Sequence, residues 1–349
     1  MAVYRIDPLR DPRWATFLSH HPQASIFHTT GWLDALRRTY KYQPVVYTTS
    51  APDQALTNGL AFCRINSWLT GSRMVSVPFA DHCHPLVDNT ENLRLLVSSL
   101  KSDLEGEKWR YVEIRPPTGL DAGLIGRAGF EEAERFYFHE LDLRPDQNTL
   151  FRNLHKSCVQ KKIQRAERER LTYEEGRSES ILAKFYHLLL LTRRRHQLPP
   201  QPLVWFRNLI GCVREQLKIR IVSKDGQSIA GILTLSYKRA LVYKYGCSDA
   251  RFHSLGGMPL LFWKTIQEGK ELGAEEFDLG RSKSNNPGLV TFKDHLGAAR
   301  SKLNYYRCPL RPSVDSGEDW RMHFVRHTCA WLPDPLLTVA GRLLYRHIG

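Results

Sequence analysis

One order of apolar runs occurs twice along this chain of 349 residues. In each half, two short runs typical of β-strands precede an apolar stripe with helical spacing, and a further strand-like run follows. The runs lie at residues 60–65, 74–77, 93–100 and 111–116 in the first half, and at 229–235, 241–245 and 260–282 in the second. We therefore predict a duplicated α/β unit, with Arg115 and Arg281 at similar strand ends.

The length and the hydrophobic content of 42% are sufficient for two packed domains. A boundary is expected at Arg144-Pro145-Asp146, which separates a strand-like run from a helix that starts near Leu150. The predicted division is 1–143, 144–310 and 311–349, the last being a linker rich in proline and serine followed by an amphipathic helical tail. The predicted fold class is α/β (α+β), in which each domain has a mixed central sheet flanked by helices.

The formal charge of +14 favours an anionic partner, either RNA or a membrane surface, although a basic surface without such a role is an equal alternative. Seven cysteines, an odd number without a Cys-x-x-Cys pair, predict reduced thiols in the cytoplasm. The first residues lack the apolar core of a signal peptide, and no run has the roughly 18 apolar residues of a membrane span. We expect a cytoplasmic protein whose tail helix docks on the protein itself or contacts the inner face of the membrane.

The sequence from residue 255 to 297 has the features of an acyl-transfer site. An amphipathic helix precedes a strand on which Asp278 and Gly280 share one face, and Arg281 lies at its carboxyl end, where ligands usually bind in α/β sheets. The segment from Phe292 to Gly297 then reads Phe-Lys-x-x-x-Gly. This motif resembles that of the Fem-like aminoacyltransferases, and the resemblance extends over roughly residues 25–308, most strongly over 150–306.

The resemblance implies two tandem acyltransferase domains of the GNAT type. It also implies transfer of an aminoacyl group from aminoacyl-tRNA, the donor substrate, to an amine of a peptidoglycan precursor or related peptide, without a metal or redox cofactor. Two alternatives remain open. One is an acyl-CoA-dependent GNAT N-acyltransferase acting in assembly of the cell envelope or a polysaccharide; the other is a non-catalytic basic protein that binds RNA or envelope components.

Aminoacyl transfer develops negative charge on the ester oxygen, and a fixed cation could stabilise that charge. The resemblance assigns this role to Lys293, with Phe292 and Arg281 lining the donor site. A solvated surface lysine is the structural alternative.

The attacking amine must also lose a proton, and Glu113 and Asp278 are the candidate bases. Arg115 stands where Fem enzymes commonly carry an acidic residue before proline, so it becomes a candidate for substrate binding. This departure leaves a substrate-assisted route open. Asp278 could equally cap or pair structurally.

A helix is predicted between His155 and Arg170, with an apolar stripe at Val159, Ile163 and Ala166. The opposite face carries Lys161, Arg165 and Arg168. Cations at this spacing can follow a phosphate backbone, which makes them candidate tRNA contacts, although a solvated basic face is an equal alternative. Arg194, at the basic end of a second helix, is a candidate anion ligand on the acceptor side or a partner of the helix dipole.

A glycine-rich turn supplies the alternative acyl-CoA site. Arg251, Gly256 and Gly257 resemble the GNAT pyrophosphate pattern, but Ser254 replaces its first glycine, and a simple turn is favoured.

Four consecutive residues, Asp81–His84, have side chains that can bind zinc but cannot readily converge on one ion. We predict no metal site here. The resemblance places Asp81 and His82 in the acceptor cleft.

Overall fold

The computed structural model describes residues 2–117, 122–310 and 334–348. The strands are β1 (Tyr4–Ile6), β2 (Gln43–Thr48), β3 (Leu60–Ile65), β4 (Arg73–Val75), β5 (Tyr111–Ile114), β6 (Glu131–Asp142), β7 (Thr172–Gly176), β8 (Leu217–Lys224), β9 (Gln227–Tyr237), β10 (Ala240–Ser248), β11 (Glu276–Ser282) and β12 (Ala299–Pro309). The helices are α1 (Pro12–His20), α2 (Thr30–Tyr40), α3 (Thr90–Gly106), α4 (Ala122–Arg127), α5 (Gln147–Asn153), α6 (Lys161–Arg168), α7 (Glu179–Arg195), α8 (Leu203–Val213), α9 (Gly257–Glu271), α10 (Pro287–His295) and α11 (Asp334–Ile348).

The chain divides into two compact units. Among the described residues, unit 1 contains 2–117, 122–136, 302–310 and 342–348, and unit 2 contains 137–301 and 334–341. This division differs from sequence-based boundaries at 143 and 310. The reason is strand pairing: residues 137–142 pair with β11 in unit 2, whereas residues 306–309 pair with β5 in unit 1.

The sheet of unit 1 has the order β1-β2-β3-β4-β5-β12. Its neighbouring strands are antiparallel except for β4 and β5, which are parallel. Asn89 caps the start of helix α3. Its side chain accepts hydrogen bonds from the backbone N–H groups of Glu91 and Asn92. The buried face of α3 joins the core formed with β5; this face consists of Leu93, Leu96, Val97, Leu100 and Leu104. The sequence prediction of this helix and of the strand after it is confirmed.

The sheet of unit 2 has the order β6-β11-β10-β9-β8-β7. Here β10 and β11 are parallel, and the other neighbouring strands are antiparallel. Helix α9 is predominantly buried and shares one core cluster with Ile163 and Ala166 of α6. Gly273 follows α9 with a φ of 78°, a conformation that favours glycine, and so ends the helix.

The two units repeat one plan, as the sequence predicts. In each, an antiparallel strand pair leads into a helix and then into a strand parallel to the second of the pair. The last paired residues of the parallel strands are Val75 with Glu113 in unit 1 and Val242 with Asp278 in unit 2. Glu113 therefore corresponds to Asp278, and Arg115 corresponds to Gly280. Arg115 and Arg281 both lie at the carboxyl ends of their strands, as predicted, and in this register they are offset by one residue.

The end of the tail helix α11 docks on unit 1. The hydroxyl of Tyr42 donates to the carbonyl of Tyr345 at 2.5 Å, and the Arg73 guanidinium donates to the carbonyl of His347 at 2.5 Å. The Nδ1 of His347 lies 2.9 Å from the Ser67 hydroxyl. Among the described helices, none combines the length and apolar character needed to span a bilayer. The six cysteines of the described ranges are free thiols.

Candidate functional site

A bulge opens the carboxyl end of β11 in unit 2. The pairing of β11 with β10 stops at Asp278, and its pairing with β6 is irregular between Asp278 and Arg281. Gly280 has a φ of 72°, which the backbone of glycine adopts without steric cost. The Asp278 carboxylate accepts the N–H of Gly280 at 2.6 Å. Asp278 thus stabilises the bulge, which is the structural role that the sequence left open for it.

Lys293 clamps this bulge from α10. Its side chain is only 2% exposed, and its Nζ donates to the carbonyl oxygens of Gly280 at 2.9 Å and Arg281 at 3.0 Å. The alternative of a solvated surface lysine is therefore wrong. Phe292 lies one residue earlier, with its ring edge-on to Phe262 at a centroid distance of 5.3 Å. The Phe-Lys motif thus anchors α10 to the core and to β11.

A histidine that sequence reasoning missed lies beside the clamp. The Nε2 of His139 on β6 is 3.2 Å from the Asp294 carboxylate, which also lies 3.6 Å from the guanidinium of Arg300. His139 is fully buried, and in the described ranges its Nδ1 has no hydrogen-bond partner. Burial and the charge of Lys293 lower the pKa of His139, while Asp294 opposes this effect. The signal in the sequence was a histidine within the otherwise apolar inward face of β6.

This group of side chains offers two kinds of chemistry at the end of β11. The buried ammonium of Lys293 fixes the backbone where a polar substrate group would approach, and a fixed cation favours developing negative charge. The lowered pKa of His139 favours its neutral imidazole, which offers one hydrogen-bond donor and one acceptor. Arg281 is partly exposed at the same strand end, as predicted.

Unit 1 has an ion triad at the corresponding position. Glu113 is buried, with its Oε1 2.8 Å from Nε of Arg115 and its Oε2 2.6 Å from Nη2 of Arg307. Burial raises the pKa of Glu113, but the charges of the two arginines outweigh this effect and hold the pKa below its usual value. The Arg115 guanidinium also lies over the ring of Tyr305 at 5.1 Å. Glu113 is therefore an ionised partner of two cations, and its role as a base stays a prediction.

The loop between β4 and α3 carries Asp81 and His82. The hydroxyl of Tyr305 donates to the backbone carbonyl of Asp81 at 2.5 Å, and His82 lies edge-on to Phe27 at 5.8 Å. Val77 and Phe79 in this loop have φ angles of 46° and 61°, which are unfavourable for residues with bulky side chains. Such strain persists only where surrounding contacts impose it, and it is common at binding sites. Asp81 and His82 belong to the same unit as Glu113, and their acceptor role stays a prediction.

The basic face predicted on α6 is present. A π-helical turn at Lys156–Gln160 precedes α6, and the apolar stripe is buried. The exposed side carries the three predicted cations, Lys161, Arg165 and Arg168. Arg165 lies 3.8 Å from Glu169, a distance at which an exposed pair is weak.

The loop before α9 is closed upon itself. The carboxylate of Asp249 accepts the backbone N–H of Arg251 at 3.0 Å and pairs with its guanidinium at 2.6 Å. The N–H groups of Phe252 and Gly256 donate to carbonyls within the same loop. A Cβ on Gly256 would lie 2.2 Å from the carbonyl oxygen of Lys162, so α6 packs directly against this turn. Only glycine fits at this position.

The second predicted basic cluster lies at the end of α7. Arg195 donates to the carbonyl of Ser248 at 3.3 Å, and the Ser248 hydroxyl lies 2.8 Å from Nε2 of His253. Arg193 donates to the side chain of Gln201 at 3.2 Å. Arg194 is exposed. These contacts attach the end of α7 to the loop after β10, and an anion-binding role for Arg194 stays a prediction.

Three side chains distant in sequence come together beside α10. Ligand atoms of His155, Cys158 and His295 lie within 4.8 Å of one another, with the two imidazole rings 4.1 Å apart. The Nδ1 of His155 accepts the N–H of Cys158 at 3.2 Å and thereby caps the following helical turn. That bond commits one ring nitrogen, and the neutral imidazole then carries its proton on the other. His155 thus has a structural role as a helix cap. The expectation that the protein needs no metal stays a prediction.

Comparisons with known proteins identify the fold. Residues 154–294 match the acetyltransferase (GNAT) domain family. FemX gives a TM-score of 0.70 at 14% identity, over 88% of this chain and 97% of FemX. L-PGS from Bacillus licheniformis gives 0.57 at 14% identity, over 92% and 98% of the two chains.

A tandem GNAT protein from the clavulanic acid biosynthesis pathway gives a TM-score of 0.56 at 11% identity, over 89% of this chain and 99% of that protein. No curated protein matches the sequence of this chain. The identities are low, so the structural likeness concerns the fold alone. Residues 154–294 therefore match a GNAT acetyltransferase domain, and the chain has the tandem GNAT fold seen in FemX.

Proposed function

We propose that this protein transfers an aminoacyl group from aminoacyl-tRNA to an amine of a peptidoglycan precursor or related peptide. The exposed basic side of α6 carries this proposal, because it bears on the choice of donor. The GNAT domain supports acyl transfer in general, and the Fem-like fold is consistent with an aminoacyl donor. The reaction takes place in the cytoplasm, where charged tRNA is available.

An acyl-CoA donor needs free backbone N–H groups at the start of a helix to hold its pyrophosphate. In this chain the N–H groups of Arg251, Phe252 and Gly256 are already bonded within the loop. The carboxylate of Asp249 lies in the same loop and would repel a pyrophosphate. A Cβ on Gly256 would lie 2.2 Å from the carbonyl oxygen of Lys162, so this side of the turn is packed against α6. These bonds belong to the turn before α9, and the N–H groups at the helix start itself are those of Gly257 and Met258, where the acyl-CoA alternative keeps its site.

A tRNA donor needs cations that follow a phosphate backbone, and the exposed side of α6 supplies them. Lys161, Arg165 and Arg168 occupy this side, and the turn that α6 covers leads into α9. Phosphate contacts of this kind give affinity that falls with salt. The donor-side assignment of Phe292 and Arg281 belongs to the same proposal, since both residues lie on the elements that Lys293 joins.

The chemical step forms one amide bond and breaks one ester bond. The acceptor amine attacks the ester carbonyl, its nitrogen forms the new bond to carbon, and the ribose hydroxyl leaves with a proton. Lys293 holds the end of β11 so that the developing oxyanion meets a fixed positive environment. Asp278, Glu113 or the substrate itself takes the amine proton. The acceptor contacts fall to Asp81, His82, Arg115 and Arg194.

Donor binding tests this proposal. We expect purified protein to bind charged bulk tRNA with an affinity that falls by roughly one to two decades between 50 and 200 mM salt, since three phosphate contacts are assigned to α6. A triple variant, Lys161→Glu, Arg165→Glu and Arg168→Glu, should lose that binding. The matched control reverses three exposed cations of unit 1, at Arg10, Lys108 and Arg127.

Three outcomes would contradict the proposal. The first is saturable binding of acetyl-CoA that does not depend on salt, together with acyl transfer to an amine. This result would replace the aminoacyl-tRNA donor with acyl-CoA. Binding of tRNA without any transfer to peptide acceptors, unchanged by Lys293→Ala, would favour the non-catalytic reading. Equal loss of tRNA binding in the α6 variant and in the unit 1 control would show that only net charge matters.

A further inference from the structure

Helix α11 has apolar side chains on its outward side. Leu336, Val339 and Leu343 are all more than half exposed, and Leu343 reaches 61%. Their spacing of three and four residues places them on one face. A helix docked on a protein normally turns a polar face to solvent. The outward face of α11 therefore departs from the pattern of an ordinary surface helix.

A loop of unit 1 adds an exposed tryptophan beside the end of this helix. Trp68 is 87% exposed, and Leu69 is also more than half exposed. The ring of Trp68 lies edge-on to His347 at 5.5 Å, and the Thr70 hydroxyl donates to the carbonyl of His347 at 2.9 Å. Leu343 precedes His347 by four residues, so it lies one helical turn away on the same side. We call Trp68, Leu69 and Leu343 the apolar edge.

Positive charge surrounds the apolar edge. Arg342 and Arg346 of α11 are exposed, and exposed Arg110 donates to the carbonyl of Thr70 at 3.4 Å. The loop from residue 66 to 72 contains no charged residue, and α11 has no acidic residue after Asp334. Arginines beside aliphatic and tryptophan side chains form the combination that binds the interface of an anionic bilayer.

We propose that the apolar edge binds the surface of an anionic lipid bilayer, with α11 lying in the plane of the headgroups. Tryptophan prefers the boundary between headgroups and acyl chains, where its ring is partly apolar and partly polar. Leu343 then enters the acyl boundary, and Arg342 and Arg346 meet lipid phosphates. This surface brings the protein to acceptors held at a membrane, and its binding does not depend on the identity of the donor.

Vesicle flotation tests this proposal without any transfer assay. We expect the protein to float with vesicles of phosphatidylcholine and phosphatidylglycerol, and much less with phosphatidylcholine alone. The double variant Trp68→Ser and Leu343→Ser should lose binding by at least about tenfold. Arg342→Gln and Arg346→Gln should each lose about fivefold, and only on anionic vesicles. The matched control is Leu272→Ser, which removes an apolar side chain that is 75% exposed in unit 2.

The substituted residues are exposed, so the variants should fold, which circular dichroism at increasing temperature will show. Equal flotation of the double variant and of Leu272→Ser, or no flotation of the unmodified protein, would overturn the proposal. Light scattering after size exclusion tests a second copy as the occupant. A dimer that the double variant converts to a monomer would assign the apolar edge to self-association and overturn the lipid assignment. A protein that floats but transfers nothing would leave this proposal standing and overturn only the proposed function.

Discussion

The two units place an acidic residue at the same point of the same strand arrangement but give it different surroundings. Glu113 in unit 1 is held between two guanidinium groups, whereas Asp278 in unit 2 accepts a backbone N–H in the bulge that Lys293 clamps. The two arginines therefore hold Glu113 in an ion triad, which is a stabilising arrangement. Asp278 instead fixes the backbone at the carboxyl end of β11 and so shapes the candidate site there.

The connections after the equivalent strands differ as well. In unit 1 the chain from residue 76 to 89 is long, contains the strained Val77 and Phe79, and exposes part of Asp81 and His82. In unit 2 the connection from 249 to 256 is short and internally bonded. A duplicated scaffold has thus diverged through its loops and strand ends, which are the positions where binding residues usually lie. This contrast favours acceptor contacts in unit 1 and donor contacts in unit 2.

The largest expected effect is on stability, from neutralising the acid of unit 1. Glu113→Gln leaves the buried guanidinium of Arg115 without a counter-charge and removes the closer carboxylate from partly exposed Arg307, so the free energy of unfolding should fall by about 3–5 kcal/mol. Asp278→Asn keeps an oxygen that accepts from Gly280 and should lose only about 1 kcal/mol. Urea unfolding at pH 7 measures both values. Equal losses of unfolding free energy in the two variants would mean that the Glu113 triad and the Asp278 bulge contribute equally to stability, against the proposed difference between the units.

The clamp of unit 2 should have the next largest effect, and on catalysis. Lys293→Met leaves the carbonyls of Gly280 and Arg281 without this donor, and we expect kcat/KM for transfer to fall by about 10²–10³. The control is Lys283→Met, an exposed lysine in the turn before α10. If the folded fraction of Lys293→Met retained full turnover, the clamp would be structural only. Lys293→Arg should fail to restore activity, because a planar guanidinium differs in shape from an ammonium.

The order of elements was predictable, because it depends on local periodicity. The run at residues 60–65 coincides with β3, and α3, α9 and the strands after them follow the predicted plan. The burial of Lys293 was not predictable, since it depends on a bulge at Gly280 that turns two carbonyls toward α10. The contact of His139 with Asp294 joins residues 155 positions apart, and no local pattern contains it. The correspondence between Glu113 of unit 1 and Asp278 of unit 2 was likewise not predictable, because it depends on the strand register in each sheet.

Lowering the pH should affect the stability of the two units differently, because each contains a buried histidine whose pKa is lowered. Burial lowers the pKa of His28 in unit 1 to about 4, and its Nδ1 accepts the N–H of Ser25 only in the neutral form. The folded pKa lies below the unfolded value of about 6.5, so stability is complete above that pH and is lost as pH falls toward 4. The loss from His28 is about 3 kcal/mol. Burial also lowers the pKa of His139 in unit 2.

Urea unfolding between pH 7 and 4.5 measures this loss. His28→Gln should remove the share of the pH dependence that comes from His28, because glutamine stays neutral throughout the range, and His84, whose pKa burial also lowers to about 4, should keep a share of its own. His20→Gln, at an exposed histidine of the same unit, should leave it unchanged. A pH dependence that persists in His28→Gln and disappears in His139→Gln would assign the acid-sensitive histidine to unit 2 instead.

The smallest effect is expected where the two units agree, at the starts of α3 and α9. Asn89 caps the first with its side chain, and Asp249 together with loop carbonyls satisfies the N–H groups before the second. The bonds of Asn89 lie within the first turn of α3, whereas those of Asp249 and the loop lie before Gly257, the first residue of α9. We expect Arg251→Ala to change tRNA affinity and transfer by less than about twofold, since its exposed guanidinium pairs with Asp249. Titration of the variant and the unmodified protein with acetyl-CoA should show no saturable binding in either. Acetyl-CoA binding that Arg251→Ala abolishes would mean that the loop of unit 2 opens on ligand binding, and the donor would then have to be reassigned to acyl-CoA.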